Sequence, residues 1–385
     1  LKTVFSFYSL LMLLAISALD VQAQYLPLQA DLDTLSNVTQ IDHSVDPAFN
    51  LMLADSVHYS DPNLLIGTVS SITSDSNGRV YIADSDQFTI HRFDADGTFL
   101  ESFGRDGEGP GEFRSLIKLR YRDGIVYALD RNLNRITAFN TESLDVEATI
   151  GLSGESQSTR TNMRPMPEEF FVLPGNRFLL TFLLFSGGTD KLHFQPVDIF
   201  HLEEGYEGTA QLKIPVQQSV MFENAGSIGV VTPPYGRNGT LYAISDGTIY
   251  TNWSENLLFK EYNNSGDYTG AWFDEVDKLT LTRRQLRESY SDRYMEILRD
   301  EELPDTWPAI RSFLVDDQNR FWIERFTENL SESEWIIASK DGRHLGRVTR
   351  PAEDTIHLVR NNSVYITEND SDGFEIVKRY RLVLD

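Results

Sequence analysis

The run SNGRVYIADSDQFTIHRFDADGTFLESFGRDGEGPGEF, residues 76–113, decides the fold. Three stretches in it, Arg79–Asp84, Phe88–Phe93 and Thr98–Phe103, alternate apolar and polar residues with the period of a β-strand. An Asn-Gly pair precedes the first stretch and an Asp-Gly pair separates the second from the third; both are strong hairpin signals. The glycine-rich end, FGRDGEGPGEF, lacks the Gly-Lys-Ser/Thr of a phosphate loop. It carries Glu112 where a dinucleotide fingerprint needs its third glycine, and the strand-like FRSLIKLRY follows it where a helix should begin. The run is therefore expected to be a joint between blocks of scaffold.

Working outward, RDGIVYALDRNLNRITAFNTESLDVEATIG (122–151) repeats the pattern, and looser copies begin near 175, 245, 317 and 361. Aligned on their second strands, the copies place Tyr81, Tyr127, Leu179, Tyr250, Trp322 and Tyr365 at one position. The period is about 46 residues once two insertions are set aside, and repeats of this length with about four strands indicate a β-propeller. The expected fold is all-β: a six-bladed β-propeller of four-stranded antiparallel blades over 49–385, with one helical insertion, about 279–306, between blades 4 and 5. The last copy supplies three strands only, so the segment around Leu51–Tyr59 is expected to give the missing outer strand and close the ring. Residues 216–239 are read as a Gly/Pro/Asn-rich loop. In the helical insertion Thr282 and Gln285 form a capping box, Leu286, Tyr290, Tyr294, Ile297 and Leu298 share one helical face, and Pro304 ends the run.

The first repeat resembles NHL-type repeats, in which a D-G-x-[VI]-Y-[VI]-A-D strand leads to V-F-D-x-D-G and then S-F-G-x-x-G-x-G-P-G-E-F. Residues 304–351 and the closing KRYRL are similar to bacterial exported six-bladed propeller proteins. The resemblance spans about 50–385 and implies the fold; it implies little about activity, because propellers carry binding, lyase, hydrolase and sensor functions on one frame.

Residues 1–23 read as a secretory signal: Lys2, then the apolar run VFSFYSLLMLLAISAL, then VQA at the cleavage site. Residues 24–48 are expected to be an N-terminal linker, and the mature chain to be exported to the periplasm or beyond the cell, without a membrane span. There are no cysteines, so disulfides and thiolate chemistry are excluded, and stability must come from a large core. The net charge of −24 repels phosphate backbones and anionic lipid, which argues against nucleic-acid and membrane-surface partners.

Candidate chemistry is sparse. The segment TSDSNGRVYIAD, 73–84, resembles a calcium loop only superficially, because Thr73 occupies its first position and strands flank it. None of the seven histidines forms an H-x-H or H-E-x-x-H pair. His91 and His201 fall in third-strand runs and read as structural, and His357, in an innermost strand, could face the channel. No cofactor is expected, and calcium is the one ion left open. Blade crossovers and second-to-third strand loops share one face of a propeller, which gathers the candidate ligand-binding residues Asp84, Asp86, Arg105, Asp106, Glu108, Asp130, Arg131, Asn132, Asp370 and Asp372. The reading is a monomeric, non-enzymatic binding propeller that takes a protein, peptide or glycan on this face. The alternative is a metal-assisted hydrolase, lactonase or lyase with its site at the channel mouth.

Overall fold

The computed structural model describes residues 28–41, 51–152, 166–175, 177–183, 194–201, 205–215, 217–218, 220–224, 227–299 and 301–384. The expected signal segment lies outside them. Six antiparallel sheets follow one another along the chain. Blade 1 is Val69–Ser74, Val80–Asp84, Thr89–Phe93 and Phe99–Phe103; blade 2 is Leu116–Arg122, Ile125–Asp130, Arg135–Asn140 and Val146–Gly151. Blade 3 is Met166–Leu173, Arg177–Leu183, Phe194–His201 and Gly205–Pro215; blade 4 is Gly239–Ala243, Ile249–Trp253, Leu257–Tyr262 and Tyr268–Asp274. Blade 5 is Ser312–Val315, Arg320–Phe326, Glu332–Ser339 and His344–Pro351.

Blade 6 takes Thr355–Arg360, Ser363–Asn369 and Glu375–Leu384 from the end of the chain, and its outer strand, Leu51–Tyr59, from the beginning. The register runs from Leu51 opposite Leu384 to Tyr59 opposite Val377, the closure expected from the sequence. Tyr59 is buried edge-on against Phe93 of blade 1 and beside Tyr365 of blade 6, so the closing strand also packs against the first blade.

Each wedge between neighbouring blades holds its own apolar core. Tyr81, Ala83, Phe113 and Val126 fill the wedge between blades 1 and 2, and Ile136, Phe170 and Phe178 the next. Phe171 with Leu241, Tyr250 with Phe321, Trp322 with Ile366, and Val80 with Tyr365 mark the remaining four. Because both faces of each sheet are covered, the second strand of blade 1, VYIAD, is buried at every position, while its outer strand, FLESF, is largely exposed.

The first hairpin turns explain the acidic loops. Asp75 accepts hydrogen bonds from the Asn77 and Arg79 amides (2.9 and 3.0 Å), from Arg79 Nε (2.6 Å) and from the Tyr81 hydroxyl (3.1 Å). Asp316 repeats the device in blade 5 with the Gln318 and Arg320 amides, Arg320 Nε and Trp322 Nε1. Both carboxylates are buried with four donors each, so the calcium-loop resemblance at Asp75 is a hairpin anchor.

Three expectations are corrected in detail. The N-terminal segment read as a linker contains the helix Leu28–Leu32 and the strand Val38–Gln40, which adds in parallel to the outer strand of blade 4. Leu28, Leu32, Leu35 and Val38 pack there against Leu258 and Phe273, burying surface that a free linker would expose. The loop expected at 216–239 contains a two-stranded hairpin, Val220–Asn224 with Ser227–Val231. The helical insertion is two short helices, Arg283–Ser289 and Asp292–Ile297, because the chain turns extended at Tyr290. The Thr282–Gln285 capping box forms as expected.

Candidate functional site on the loop-rich face

The glycine-rich crossover between blades 1 and 2 carries most of the candidate residues. Gly104 (φ +83°) and Gly111 (φ +75°) take left-handed turns, and a Cβ at Gly104 would stand 2.7 Å from the buried Phe113 ring. Between them Arg105 pairs with Glu112 at 2.6 Å, and Glu112 accepts the Gly109 amide at 2.7 Å. The Gly109 bond and the Arg105 guanidinium hold the Glu112 carboxyl below its ordinary range. Asp106 binds Arg114 at 2.9 Å and Glu108 approaches the same arginine at 3.8 Å. Arg135, from the third strand of blade 2, donates to the carbonyls of Glu108, Gly109 and Glu112.

Asp130 is wholly buried beneath this crossover and accepts the Arg114 (2.6 Å), Ser115 (3.3 Å) and Leu133 (2.8 Å) amides. Asp84 holds the corresponding place in blade 1. It accepts the Gly67, Asp86 and Gln87 amides at 2.7–3.0 Å and lies 3.5 Å from His91 Nε2. Burial raises its carboxyl, but the bonds from His91 and the three amides prevail and hold it below the usual range. Asp84 and Asp130 thus tie each crossover to the neighbouring second-to-third strand loop.

The structure gathers Asp106, Glu108, Asp130 and Asn132 around Arg114, Asn132 by a bond of its amide to the Arg114 carbonyl (3.4 Å), while Arg105 pairs with Glu112 on the same crossover. Asp86 stays with blade 1, exposed and bound by the Thr68 hydroxyl at 2.8 Å. Arg131 turns toward blade 3 and pairs with Glu168 at 2.9 Å. Asp370 and Asp372 sit apart on the blade 6 hairpin, where Asp370 accepts the Asp372 and Phe374 amides. Much of this polar rim is committed to its own backbone and to ion pairs.

The channel wall carries Lys118 and Arg120 of blade 2, both paired with Glu169 of blade 3 at 3.2 and 2.9 Å. Burial raises the Glu169 carboxyl, yet Arg120 and Lys118 outweigh it and keep the group low. His357 meets the Thr367 hydroxyl at 2.8 Å; burial, with a smaller push from the Lys118 charge, lowers its imidazole to about 3. Among the described residues no three His, Asp or Glu side chains stand close enough to hold a metal ion.

A different part of the face was missed by sequence reasoning. The hairpin insertion before blade 4 and the helical insertion before blade 5 border one cleft of about 360 Å³. Gln217, Pro233, Asn238, Tyr290, Arg311 and Phe326 are among its lining residues, and Arg311 is the one charged side chain lining it among those described. The insertions are bolted together below it. Arg237 is buried, pairs with Glu255 and donates to the Tyr235 and Thr306 carbonyls, and Lys278 joins the same Glu255. Tyr294 donates to the Thr232 carbonyl at 2.6 Å and stacks on Tyr290 at 5.4 Å.

At the cleft, Arg311 pairs with Glu324 at 3.2 Å and lies 5.7 Å from the Phe326 ring, with its side chain still 37% exposed. Trp307, also lining the cleft, is fully buried against Phe326, and its indole N–H has no hydrogen-bond partner among the described residues. The signal available in the sequence was that two successive crossovers on one face both carry insertions.

A family model described as a 6-bladed beta-propeller, DUF5128, matches residues 60–256, and the chain belongs to that family. Two solved structures share the fold. One is a Bacteroides fragilis protein described as exported, 10% identical, with a TM-score of 0.54, covering 90% of this chain and 99% of its own. The other is a member of the duf4221 family from Bacteroides vulgatus, 10% identical, with a TM-score of 0.55, covering 89% of this chain and 99% of its own. Likeness at this identity concerns the fold alone. No curated protein matches the chain.

Proposed function

We propose that the chain is an exported, monomeric propeller that binds a peptide, protein or glycan through its loop-rich face, with the ligand seated in the cleft between the two insertions. Export is consistent with the secretory signal read at the N-terminus and with the description of one structural neighbour as exported. Among the described residues no helix is long and apolar enough to cross a membrane. The periplasm or the extracellular medium is the compartment this reading requires.

One observation carries the choice of cleft. The two longest departures from the repeat converge on it, although a propeller ring needs neither to close. They bring there aromatic and proline surface and a half-exposed guanidinium. Apolar walls with a few placed polar groups are the usual make-up of a binding cleft. Arg311, its charge met by Glu324, still offers guanidinium N–H donors to the lining, which favours a ligand rich in acceptor oxygens. The second reading, a metal-assisted hydrolase, lactonase or lyase at the channel mouth, calls for a cluster of metal-binding side chains, and no observation among the described residues favours it.

The test is a screen of the secreted protein against glycan and peptide arrays, followed by titration calorimetry on the hits. Arg311→Ala and Tyr290→Ala should each weaken binding at least about tenfold, a hot-spot effect, while Arg105→Ala leaves it unchanged. Hits that survive both cleft variants and are lost on Arg105→Ala would move the site to the glycine-rich crossover and refute the reading.

A further inference from the structure

Blade 1 holds a row of three side chains that neither the ring nor the cleft requires. His91, in the third strand, is paired in register with Ser102 of the outer strand and with Ile82 of the second. Asp84 stands two residues beyond Ile82, so strand alternation puts Asp84, His91 and Ser102 on one face of the sheet, the face turned toward blade 6 with Val80, Ile82 and Phe93. His91 Nδ1 is 2.8 Å from Ser102 Oγ, and His91 Nε2 is 3.5 Å from Asp84 Oδ2. Asp84 and His91 are buried, whereas Ser102 is exposed.

The protonation pattern follows from the neighbours. Asp84 accepts three backbone N–H groups and the Gln87 amide, an environment that suits a carboxylate and not a carboxylic acid. Facing that carboxylate, a neutral imidazole carries its proton on Nε2. The Nδ1 lone pair then points at Ser102, and the serine hydroxyl donates to it. This is the arrangement of a serine next to its general base, with an acid behind the base that sets the tautomer and stabilises the imidazolium.

We propose that Ser102 is an activated nucleophile, with His91 as its base and Asp84 as a positioning residue, that takes an acyl group from an activated carboxylic ester. Ser102 Oγ attacks the ester carbonyl and forms a new C–O bond while its proton passes to His91 Nδ1. The original C–O bond then breaks and the departing alkoxide or phenoxide takes that proton, leaving an acyl-serine and free alcohol or phenol. The exposed outer strand admits the ester from bulk solvent. His91, which reads from sequence as a structural third-strand residue, becomes a catalytic one.

The test uses the full secreted chain with 4-nitrophenyl acetate, following nitrophenolate release and locating the acetyl group by peptide mass mapping. An acetyl adduct at Ser102 is expected, absent in Ser102→Ala and formed about a hundredfold more slowly in His91→Gln, the low end of a general-base contribution. Acetylation confined to lysines or to other hydroxyls, or a rate unaffected by His91→Gln, would overturn the proposal. Because the chain has no cysteine, Ser102→Cys gives a second readout that does not depend on how the His91 variant folds. Its lone thiol, ionised by the imidazole, should react with iodoacetamide at pH 7 about tenfold faster than the thiol of Ser265→Cys, at an exposed turn. Equal rates would also overturn it.

Discussion

Two crossovers on the same face do the same topological job in opposite ways. Gly104–Ser115 carries the chain from the outer strand of blade 1 to the inner strand of blade 2; 275–311 does the same from blade 4 to blade 5. In the first, Arg105, Glu112, Arg114 and Arg135 satisfy groups within the loop or beside it, and Asp130 gathers its last amides. In the second, the chain builds a further layer with its own core of Leu281, Leu286, Leu298 and Trp307. It leaves an indole N–H without a partner among the described residues and a guanidinium half exposed at a cleft. A short crossover spends most of its polar groups on itself, with Arg135 Nε left without a partner among the described residues, whereas a long one must bury a new core and can place groups that the scaffold does not use.

The largest effect that tests this contrast is Asp130→Ala. Three partly buried amides would lose their buried acceptor, and the protein should be destabilised by about 4 kcal/mol, read as the urea midpoint at constant m-value. A loss below about 1 kcal/mol would mean that the first crossover does not depend on its carboxylate. Next comes Leu286→Ala, which removes a fully buried side chain from the added layer at a cost of about 3 kcal/mol. Amide exchange should rise over Arg283–Ile297 and stay unchanged over Val80–Asp84; a uniform rise would show that layer and ring unfold as one unit.

The ring interior that both crossovers spring from is tested by acid. The His357 imidazole sits at about 3 in the folded protein, below the ordinary value of about 6.5, so the unfolded chain binds the proton first as pH falls. Stability should drop from about pH 6.5 down toward 3, and His357→Gln should remove about 2 kcal/mol of that drop at pH 5. Parallel pH profiles for the two proteins would contradict it.

Smaller still is the response of the glycine-rich loop. Glu112 is held low by Gly109 and Arg105, so its contribution persists at neutral pH and disappears only as pH falls through its lowered value. The Gly109 amide should therefore stay protected at pH 5 and lose protection on further acidification; loss of protection already at pH 5 would contradict this. Arg105→Ala should leave the urea midpoint unmoved, since the pair it breaks is solvent-exposed.

The closure by Leu51–Tyr59 was legible in the sequence because the last repeat lacks one strand and a ring has no other source for it. The Asx-Gly turns were legible, and the anchors beneath them, which sequence reading missed, are local too. In DSNGRVY and DDQNRFW the aspartate, the arginine and the aromatic ring that meet are all within seven residues. The cleft was not legible, since Asn238, Tyr290, Arg311 and Phe326 are far apart in the chain and belong to segments that obey no repeat. Nor was the commitment of Asp84 and Asp130, which look in the sequence like any loop-edge acids and become buried amide acceptors only when the crossover folds over them.

Taken by itself, the sequence determined the six-bladed ring, its closure and its face of crossovers, because period, alternation and turn chemistry act over a few neighbouring residues and repeat. Tertiary structure alone decided which polar groups are spent and which are free. That outcome depends on side-chain contacts made only once strands and crossovers pack, such as Glu255 joining Arg237 to Lys278, or Ser102 meeting His91 across a strand pair. Composition and spacing do not encode such contacts.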